Sequence, residues 1–226
     1  DELAPIIGAR RGEVVVNEST TVCLFQLVNV ALDLERVGVH DRRRVIAVAE
    51  TEFPTDRYVV DGIARLRPDV EVRAGVDDLD AVDVVVRSLV DYRTATLYDL
   101  AAETARSRAA GALVVWDLSH AVGVVPVDLT AADADLAVGC TYKFLNGGPG
   151  APAFSYVRRE LHDRIRQPIR GWFAQQDQFA MDAPFTARSG VAAMMNGTPP
   201  ILGLTAARAG ISVTAYLLDN LRGPVS

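Results

Sequence analysis

The sequence predicts an α/β fold in which a mostly parallel sheet is covered by helices on both faces. Short apolar runs, most of them rich in valine, recur along the 226 residues, and strands buried on both faces of a sheet read as continuous runs of this kind. Amphipathic segments of helical length alternate with these runs, which is typical of parallel sheets with crossover helices. Hydrophobic residues make up 50% of the chain, enough for one large domain with a substantial core.

Seven apolar runs are predicted as strands, at residues 14–16, 45–49, 70–73, 82–87, 113–117, 136–140 and 153–157. Four segments with helical spacing of apolar residues are predicted as helices, at residues 19–36, 56–67, 97–110 and 200–221. Their alternation predicts a three-layer α/β/α arrangement. No repeat, low-complexity tract or linker divides the sequence, so we expect one domain over residues 1–226.

The composition argues against several classes of partner. The formal net charge is −6, and the only short basic run, at residues 42–44, is interpreted as a solvated loop before a strand, so a nucleic-acid surface is not expected. No apolar segment approaches the roughly 20 residues of a membrane helix, and the N-terminus lacks a signal-peptide layout. Cys23 and Cys140 fit neither a metal-ligand spacing nor a disulfide pattern. We therefore expect a cytoplasmic protein without a metal or a membrane partner.

The segment at residues 141–150, Thr-Tyr-Lys-Phe-Leu-Asn-Gly-Gly-Pro-Gly, is the first candidate for chemistry. It places Lys143 at the end of an apolar run and follows it with a glycine-rich loop. Lys143 is the only lysine in a chain whose other Lys/Arg residues are all arginine. Arginine cannot form an imine with an aldehyde, whereas a partly buried lysine amine is a good nucleophile. The alternative is an exposed lysine before an ordinary turn.

An aspartate and a histidine lie upstream of this lysine. Asp117 ends a buried-type strand, and His120 follows three residues later. Because ligands of open α/β sheets bind outside the carboxyl ends of the strands, Asp117 and Lys143 are expected to share a site. A carboxylate beside a pyridine nitrogen favours the protonated ring, so the pair suggests a pyridoxal phosphate enzyme. Taken alone, an aspartate that ends a strand is more often a helix cap or a turn residue, and a lone histidine is usually structural.

A candidate phosphate site precedes the first predicted long helix. Ser19 and Thr20 lie where the helix begins, so their hydroxyls and the free backbone N–H groups of the first turn would suit an anion. A plain N-cap is the alternative interpretation. Tyr142, next to the candidate lysine, is a further phosphate hydrogen-bond donor or a proton donor.

Six separated segments, in the right order, resemble the bacterial kynureninases, which are fold-type-I pyridoxal phosphate enzymes. These segments, at residues 53–56, 116–121, 125–129, 139–150, 171–173 and 197–200, read FPTD, WDLSHA, VPVDL, GCTYKFLNGGPG, GWF and GTPP. The resemblance covers most of the chain, from Asn17 to Pro200. It implies the large domain of a fold-type-I enzyme that cleaves kynurenine, or its 3-hydroxy form, to anthranilate and alanine.

The resemblance also implies roles for individual residues. Lys143 would be the Schiff-base lysine and the base at the substrate Cα, with Tyr142 a candidate proton donor. Asp117 would partner the pyridine nitrogen. The other implied cofactor contacts are Asp56 near the same ring edge, Phe53 stacked on the ring, Ser19, Thr20 and Tyr142 at the phosphate, and Ser88 and His120 lining the site.

Two implied site residues point to a homodimer with shared active sites. In the family, the positions of Trp172 and Thr198 serve the neighbouring subunit. Without the resemblance, Trp172 would be interpreted as a core aromatic and Thr198 as part of a turn beside prolines.

The sequence departs from the family at one segment and leaves other functions open. The family pattern Asn-Tyr-x-Thr-Gly appears here as Asp-Tyr-Arg-Thr-Ala at residues 91–95, which bears on substrate-side detail. A cysteine desulfurase-like or other related pyridoxal phosphate enzyme is one alternative, although such enzymes need a mobile catalytic cysteine. A cofactor-binding or dimerising domain without turnover is another. The chain lacks an initiating methionine and ends after a helical pattern, so we expect flanking N-terminal and C-terminal small-domain segments outside it. The substrate-carboxylate arginine would lie there.

Overall fold

A computed structural model describes residues 2–34, 44–181 and 184–221 of the chain. These residues form a seven-stranded sheet with the strand order β1-β7-β6-β5-β4-β2-β3. The strands are β1 Val14–Val16, β2 Arg44–Val48, β3 Val70–Ala74, β4 Val84–Ser88, β5 Leu113–Asp117, β6 Leu136–Gly139 and β7 Phe154–Val157. Neighbours in the series β3, β2, β4, β5 and β6 pair in parallel, and β7 runs antiparallel to both β6 and β1. The predicted mostly parallel sheet is confirmed.

Five α-helices and three 3₁₀ helices accompany the sheet in the described residues. The α-helices are α1 Leu3–Ile6, α2 Thr20–Asp33, α3 Pro54–Leu66, α4 Leu100–Ala109 and α5 Ile201–Leu221. The 3₁₀ helices are Arg159–Arg164, Trp172–Ala174 and Gly190–Met194. Each predicted helix is present with boundaries shifted by a few residues, except that the predicted end at residue 36 and the basic run at residues 42 and 43 lie outside the described residues.

Two buried cores lie on opposite faces of the sheet, which confirms the three-layer arrangement. Successive strand residues alternate between them, so Val114 and Trp116 of β5 belong to one core and Val115 to the other. The first core also holds α1 and one side of α5, and the second holds the apolar faces of α2 and α3. Burial of continuous apolar strands from both sides explains why the valine runs predicted the sheet.

The helix α5 corrects one expectation. Residues Ile201–Asn220 are long and apolar enough, by length and composition, to cross a membrane. The expectation that no apolar segment approaches the length of a membrane helix was therefore wrong. This is weak evidence for a span, because core helices of globular domains pass the same test. Ala207 and Ile211 of α5 are buried in the first core, while residues such as Leu202 and Tyr216 are exposed.

Candidate functional site

The side chain of Lys143 lies just beyond the carboxyl end of β6. Its Nζ atom is 2.9 Å from His120 Nε2 and lies over two aromatic rings, 5.4 Å from the ring centre of Phe53 and 5.7 Å from that of Tyr142. Lys143 is the only lysine of the 226 residues. The one side chain of this sequence suited to imine formation therefore lies at the edge where sheets of this type bind ligands.

The loop that carries Lys143 is fixed by short-range bonds and by α5. Thr141 Oγ1 donates to the carbonyl oxygen of Pro152 at 2.5 Å, and Gly147 N donates to the carbonyl oxygen of Thr141 at 2.9 Å. Gly210 of α5 packs so closely that a Cβ atom there would lie 2.2 Å from the carbonyl oxygen of Leu145. The glycine loop is therefore a packed support for the lysine.

His120 belongs to a small aromatic group around the lysine amine. Its ring centre lies 5.9 Å from that of Phe53 and 6.3 Å from that of Tyr92, and Phe53 and Tyr92 meet edge to face at 5.1 Å. Burial, and then the positive charge of Lys143, lower the pKa of His120. A neutral imidazole accepts the hydrogen bond from Lys143 at Nε2, which leaves its own proton on Nδ1.

Three buried carboxyl groups gather at the ends of β2, β4 and β5. Asp117 ends β5, and one of its oxygens accepts a hydrogen bond from Ser119 N at 2.7 Å. Asp56 lies in the first turn of α3 and is only 1% exposed. Burial, followed by the negative charges of Asp117 and Glu52, raises the pKa of Asp56 to about 9. Asp56 therefore keeps its proton at neutral pH.

Ser88 is the strand neighbour of Asp117, since the two residues are in register across β4 and β5. Its hydroxyl donates to Glu52 Oε1 at 2.5 Å, and its backbone N–H donates to Glu52 Oε2 at 2.8 Å. The position predicted for Ser88 thus lies at the candidate site, with its hydroxyl engaged by a carboxylate. Glu52 was missed in the sequence, although it directly precedes the FPTD segment.

The candidate phosphate site is a cavity of about 300 Å³ at the start of α2. Its lining includes Ser19, Thr20 and Tyr142, which sequence reasoning had grouped together from distant positions. Ser19 is the N-cap of α2, and its Oγ accepts from Val22 N at 3.4 Å. The cap interpretation and the anion-site interpretation therefore apply to the same residue, because a capped helix start still presents backbone N–H groups and a positive dipole end.

Trp172 and Thr198 do not join the lysine cluster of the same chain. Both side chains are exposed, and Trp172 contacts the rings of Phe173 and Phe179 instead. The backbone fixes the two segments to each other, since Phe173 N donates to the carbonyl oxygen of Asn196 at 3.0 Å. The alternative interpretation of Trp172 as a core aromatic is wrong.

The departing segment at residues 91–95 forms a turn beside this aromatic group. One carboxylate oxygen of Asp91 accepts from the N–H groups of Arg93 and Thr94, each at 2.8 Å. Ala95 has a φ of +57°, the left-handed region where glycine, the family residue, is unstrained. Tyr92 of the same segment contacts Phe53 and was missed as a site residue, because only the fold brings it there.

The described residues provide the donor set that the predicted cofactor requires. Asp56 Oδ2, Ser119 Oγ and His120 Nδ1 are buried without a hydrogen-bond partner in the described part of the chain. Buried polar atoms are normally paired, so these atoms suit contacts with a bound polar group. The site combines a lysine amine, a buried carboxyl pair and a helix start lined by hydroxyl groups. These groups are suited, in that order, to the aldehyde, the ring nitrogen and the phosphate of the cofactor.

Comparison with known proteins agrees with this geometry. A family model described as aminotransferase class-V matches residues 76–219. The chain belongs to the aminotransferase class-V family. Kynureninase of Pseudomonas fluorescens is 42% identical over 223 residues, which cover 95% of the chain and 53% of that protein. Kynureninase of Deinococcus radiodurans is 44% identical over 218 residues, covering 94% of the chain and 52% of that protein. The resemblance found in the motifs is confirmed, and the chain spans about half the length of these class-V relatives.

Solved structures share the fold. A cysteine desulfurase of Thermococcus onnurineus superposes with a TM-score of 0.79 at 20% identity, covering 96% of this chain and 55% of that one. A cysteine desulfurase of Escherichia coli superposes with a TM-score of 0.78 at 18% identity, covering 95% of this chain and 55% of that one. These similarities confirm the α/β fold.

Proposed function

We propose that this chain is the pyridoxal phosphate-binding large domain of a kynureninase, which hydrolyses L-kynurenine or its 3-hydroxy form to anthranilate and L-alanine. The observation that carries the proposal is Lys143 Nζ, held 2.9 Å from His120 Nε2 at the sheet edge where Asp117 is buried. Identities of 42–44% to named kynureninases support the substrate. Segments flanking this chain would complete the enzyme, which we place in the cytoplasm.

The residues divide the work of the reaction. When bound, pyridoxal phosphate supplies an electron-withdrawing ring that stabilises negative charge at the substrate Cα. Lys143 would hold the cofactor aldehyde and then take the Cα proton, and the neutral His120 positions its amine. Asp117 would hold the ring nitrogen in its protonated form.

The remaining proposed contacts orient the cofactor and finish the cleavage. Ser19, Thr20 and Tyr142 would hold the phosphate in the cavity at the start of α2, and the ring of Phe53 would stack on the cofactor. Water adds to the aryl ketone, the Cβ–Cγ bond breaks to release anthranilate, and a proton returns to the three-carbon fragment. Tyr142 is the proposed donor of that proton, since its ring lies 5.7 Å from Lys143 Nζ.

The cysteine environment favours a kynureninase over a cysteine desulfurase. The sequence has two cysteines, and both are buried. Burial raises the pKa of Cys23 to about 11 and also raises the pKa of Cys140. The thiolate is the nucleophilic form, so neither residue is suited to accept sulfur. Tyr142 also occupies the position before Lys143 where those enzymes usually place a histidine.

The exposed Trp172 supports a homodimer with shared sites. Its side chain is 43% exposed next to Phe179, which is 77% exposed, so the two rings form an exposed aromatic pair that a partner subunit would cover. We propose that Trp172 and Thr198 complete the cofactor site of the partner subunit. Mixing Lys143→Ala chains with Trp172→Ala chains should then restore part of the activity, whereas no complementation would contradict shared sites.

The decisive assay loads the full-length protein with pyridoxal phosphate, adds L-kynurenine, and follows anthranilate fluorescence. Lys143→Arg keeps the positive charge but cannot form the imine, so activity should fall by at least about 10²–10⁴-fold. Borohydride reduction of the loaded protein, followed by peptide mapping, should label Lys143. If the loaded protein makes no anthranilate, the kynureninase assignment is wrong. In that case the loaded protein is given cysteine, and release of alanine would indicate a desulfurase. If neither kynurenine nor cysteine gives a product, the chain is a binding domain without turnover.

A further inference from the structure

A second charged cavity lies between the 3₁₀ helix Arg159–Arg164 and the segment that precedes Gly190–Met194. It has a volume of about 410 Å³, and its lining includes Arg166, Arg170 and Arg188. His162, whose Nε2 donates to the carbonyl oxygen of Val157 at 2.8 Å, also lines it. Val157 ends the antiparallel strand β7 and pairs with the first residue of β6, so this cavity lies toward the sheet edge opposite Lys143.

The three guanidinium groups lack carboxylate partners within the described residues. Arg166 donates to the carbonyl oxygens of Asp163 and Ile165, at 3.1 and 2.8 Å, and Arg188 is 3.5 Å from a backbone oxygen. Arg170 lies 5.5 Å from the ring centre of Phe185. One carboxylate, that of Asp163, lines the cavity as well, so the lining keeps an excess of positive charge.

This local excess of positive charge contrasts with the net charge of the chain. The protein has a formal net charge of −6, and elsewhere its arginines commonly pair with acids. Arg108, for example, bonds Asp133 and Asp135, and Arg158 bonds both of them. Three guanidinium groups without a carboxylate partner in the described residues therefore concentrate positive charge around one cavity.

We propose that this cavity binds a small oxyanion, a phosphate or carboxylate group, at a site separate from the Lys143 site. Planar guanidinium groups present paired N–H donors that match phosphate and carboxylate oxygens. The volume is sufficient for a small metabolite carrying such a group. The cavity shares no lining residue with the phosphate cavity at the start of α2.

Occupation of the cavity would fix the segment that carries Trp172. Arg170 immediately precedes Gly171 and Trp172, and Arg188 N donates to the carbonyl oxygen of Ala174 at 2.7 Å. An oxyanion held by Arg170 and Arg188 would therefore join the two ends of this segment. Amide hydrogen exchange across residues 171–174 should slow when the anion binds.

The test is calorimetric titration of the cofactor-loaded, full-length protein, in which the other phosphate site is filled. Inorganic phosphate and succinate are titrated separately against sodium chloride at matched ionic strength. The double variant Arg166→Gln/Arg170→Gln should bind at least about tenfold more weakly. Arg65→Gln removes the same type of charge from an exposed ion pair with Asp61 and should leave binding unchanged.

The outcomes separate the ligand sources. Tighter binding of phosphate identifies a phosphate site, and tighter binding of succinate identifies a carboxylate site. No saturable binding of either anion, or equal binding by the double variant, would overturn the proposal. Cofactor absorbance of the double variant is the independent check, because loss of loading would concern the Lys143 site instead.

Discussion

Replacing Asp56 by asparagine should flatten the pH dependence of the stability of the cofactor-free protein. The Asp56 carboxyl group is almost fully buried beside Asp117 and Glu52, and its pKa rises from the ordinary 3.8 to about 9. Burial is the largest cause, and the two neighbouring negative charges add to it. Asparagine has nearly the same shape and cannot ionise, so the substitution isolates the proton.

The sign follows from which state holds the proton. Below about pH 4, both folded and unfolded chains keep Asp56 protonated, and its contribution to stability is fully present. Between about pH 4 and pH 9 only the folded chain keeps the proton, so its free energy of unfolding falls as the pH rises, by at most about 1.4 kcal/mol per pH unit. Over three units, from about pH 5 to about pH 8, the difference reaches at most about 4 kcal/mol.

Urea unfolding followed by circular dichroism gives the free energy of unfolding at each pH. The wild-type value should fall more steeply with pH than the Asp56→Asn value. Asp61→Asn is the matched control, because Asp61 lies on the same helix but is exposed and paired with Arg65 at 2.9 Å. If wild type and Asp56→Asn have parallel slopes, Asp56 is ionised in the folded protein and the raised pKa is wrong.

Three further substitutions test separate features. Ala95→Gly should raise the free energy of unfolding by about 1 kcal/mol in urea titration, because alanine is strained at a φ of +57°; a lower value would mean that the turn is not strained. Gly171→Ala should lower the free energy of unfolding by roughly 1–3 kcal/mol, because a Cβ atom there would lie 2.1 Å from the carbonyl oxygen of Asn196. Proteolysis of the Trp172 segment should also become faster, and a wild-type melting temperature would contradict that packing. Ser88→Ala should lower the free energy of unfolding in urea titration by roughly 1–3 kcal/mol, because Glu52 loses a buried hydrogen-bond donor. An unchanged free energy would count against the short hydrogen bond.

The secondary structure could be predicted because local signals and burial agree. The helix α3 begins earlier than predicted, at Pro54, since proline fits the first turn of a helix. The helix α4 begins later, at Leu100, because the Asp99 side chain caps it by accepting from Ala102 N at 2.9 Å. Both corrections follow from capping chemistry that the apolar spacing alone does not contain.

The site was predictable only in part. The local sequence pattern singled out Lys143, Asp117 and His120, and the parallel sheet brings the ends of its strands together. The bond between Glu52 and Ser88 depends on the pairing of β2 with β4, which no short motif specifies. Tyr92 reaches the aromatic group for the same reason. Contacts between residues of different strands could therefore be found only in the structure. The proposed cofactor contacts are tested by the trapping and activity assays.

The charges of the site select the kind of ring that it would hold. Three carboxyl groups, those of Glu52, Asp56 and Asp117, are buried at one sheet edge, and the negative charges of the other two help to raise the pKa of Asp56. A buried negative charge is costly unless a cation or proton accompanies it. The positive charge of Lys143 already acts on Asp56, and a ring nitrogen that accepts a proton would add a second cation beside Asp117. The electrostatics therefore agree with the proposed role of Asp117 as the partner of a protonated ring nitrogen.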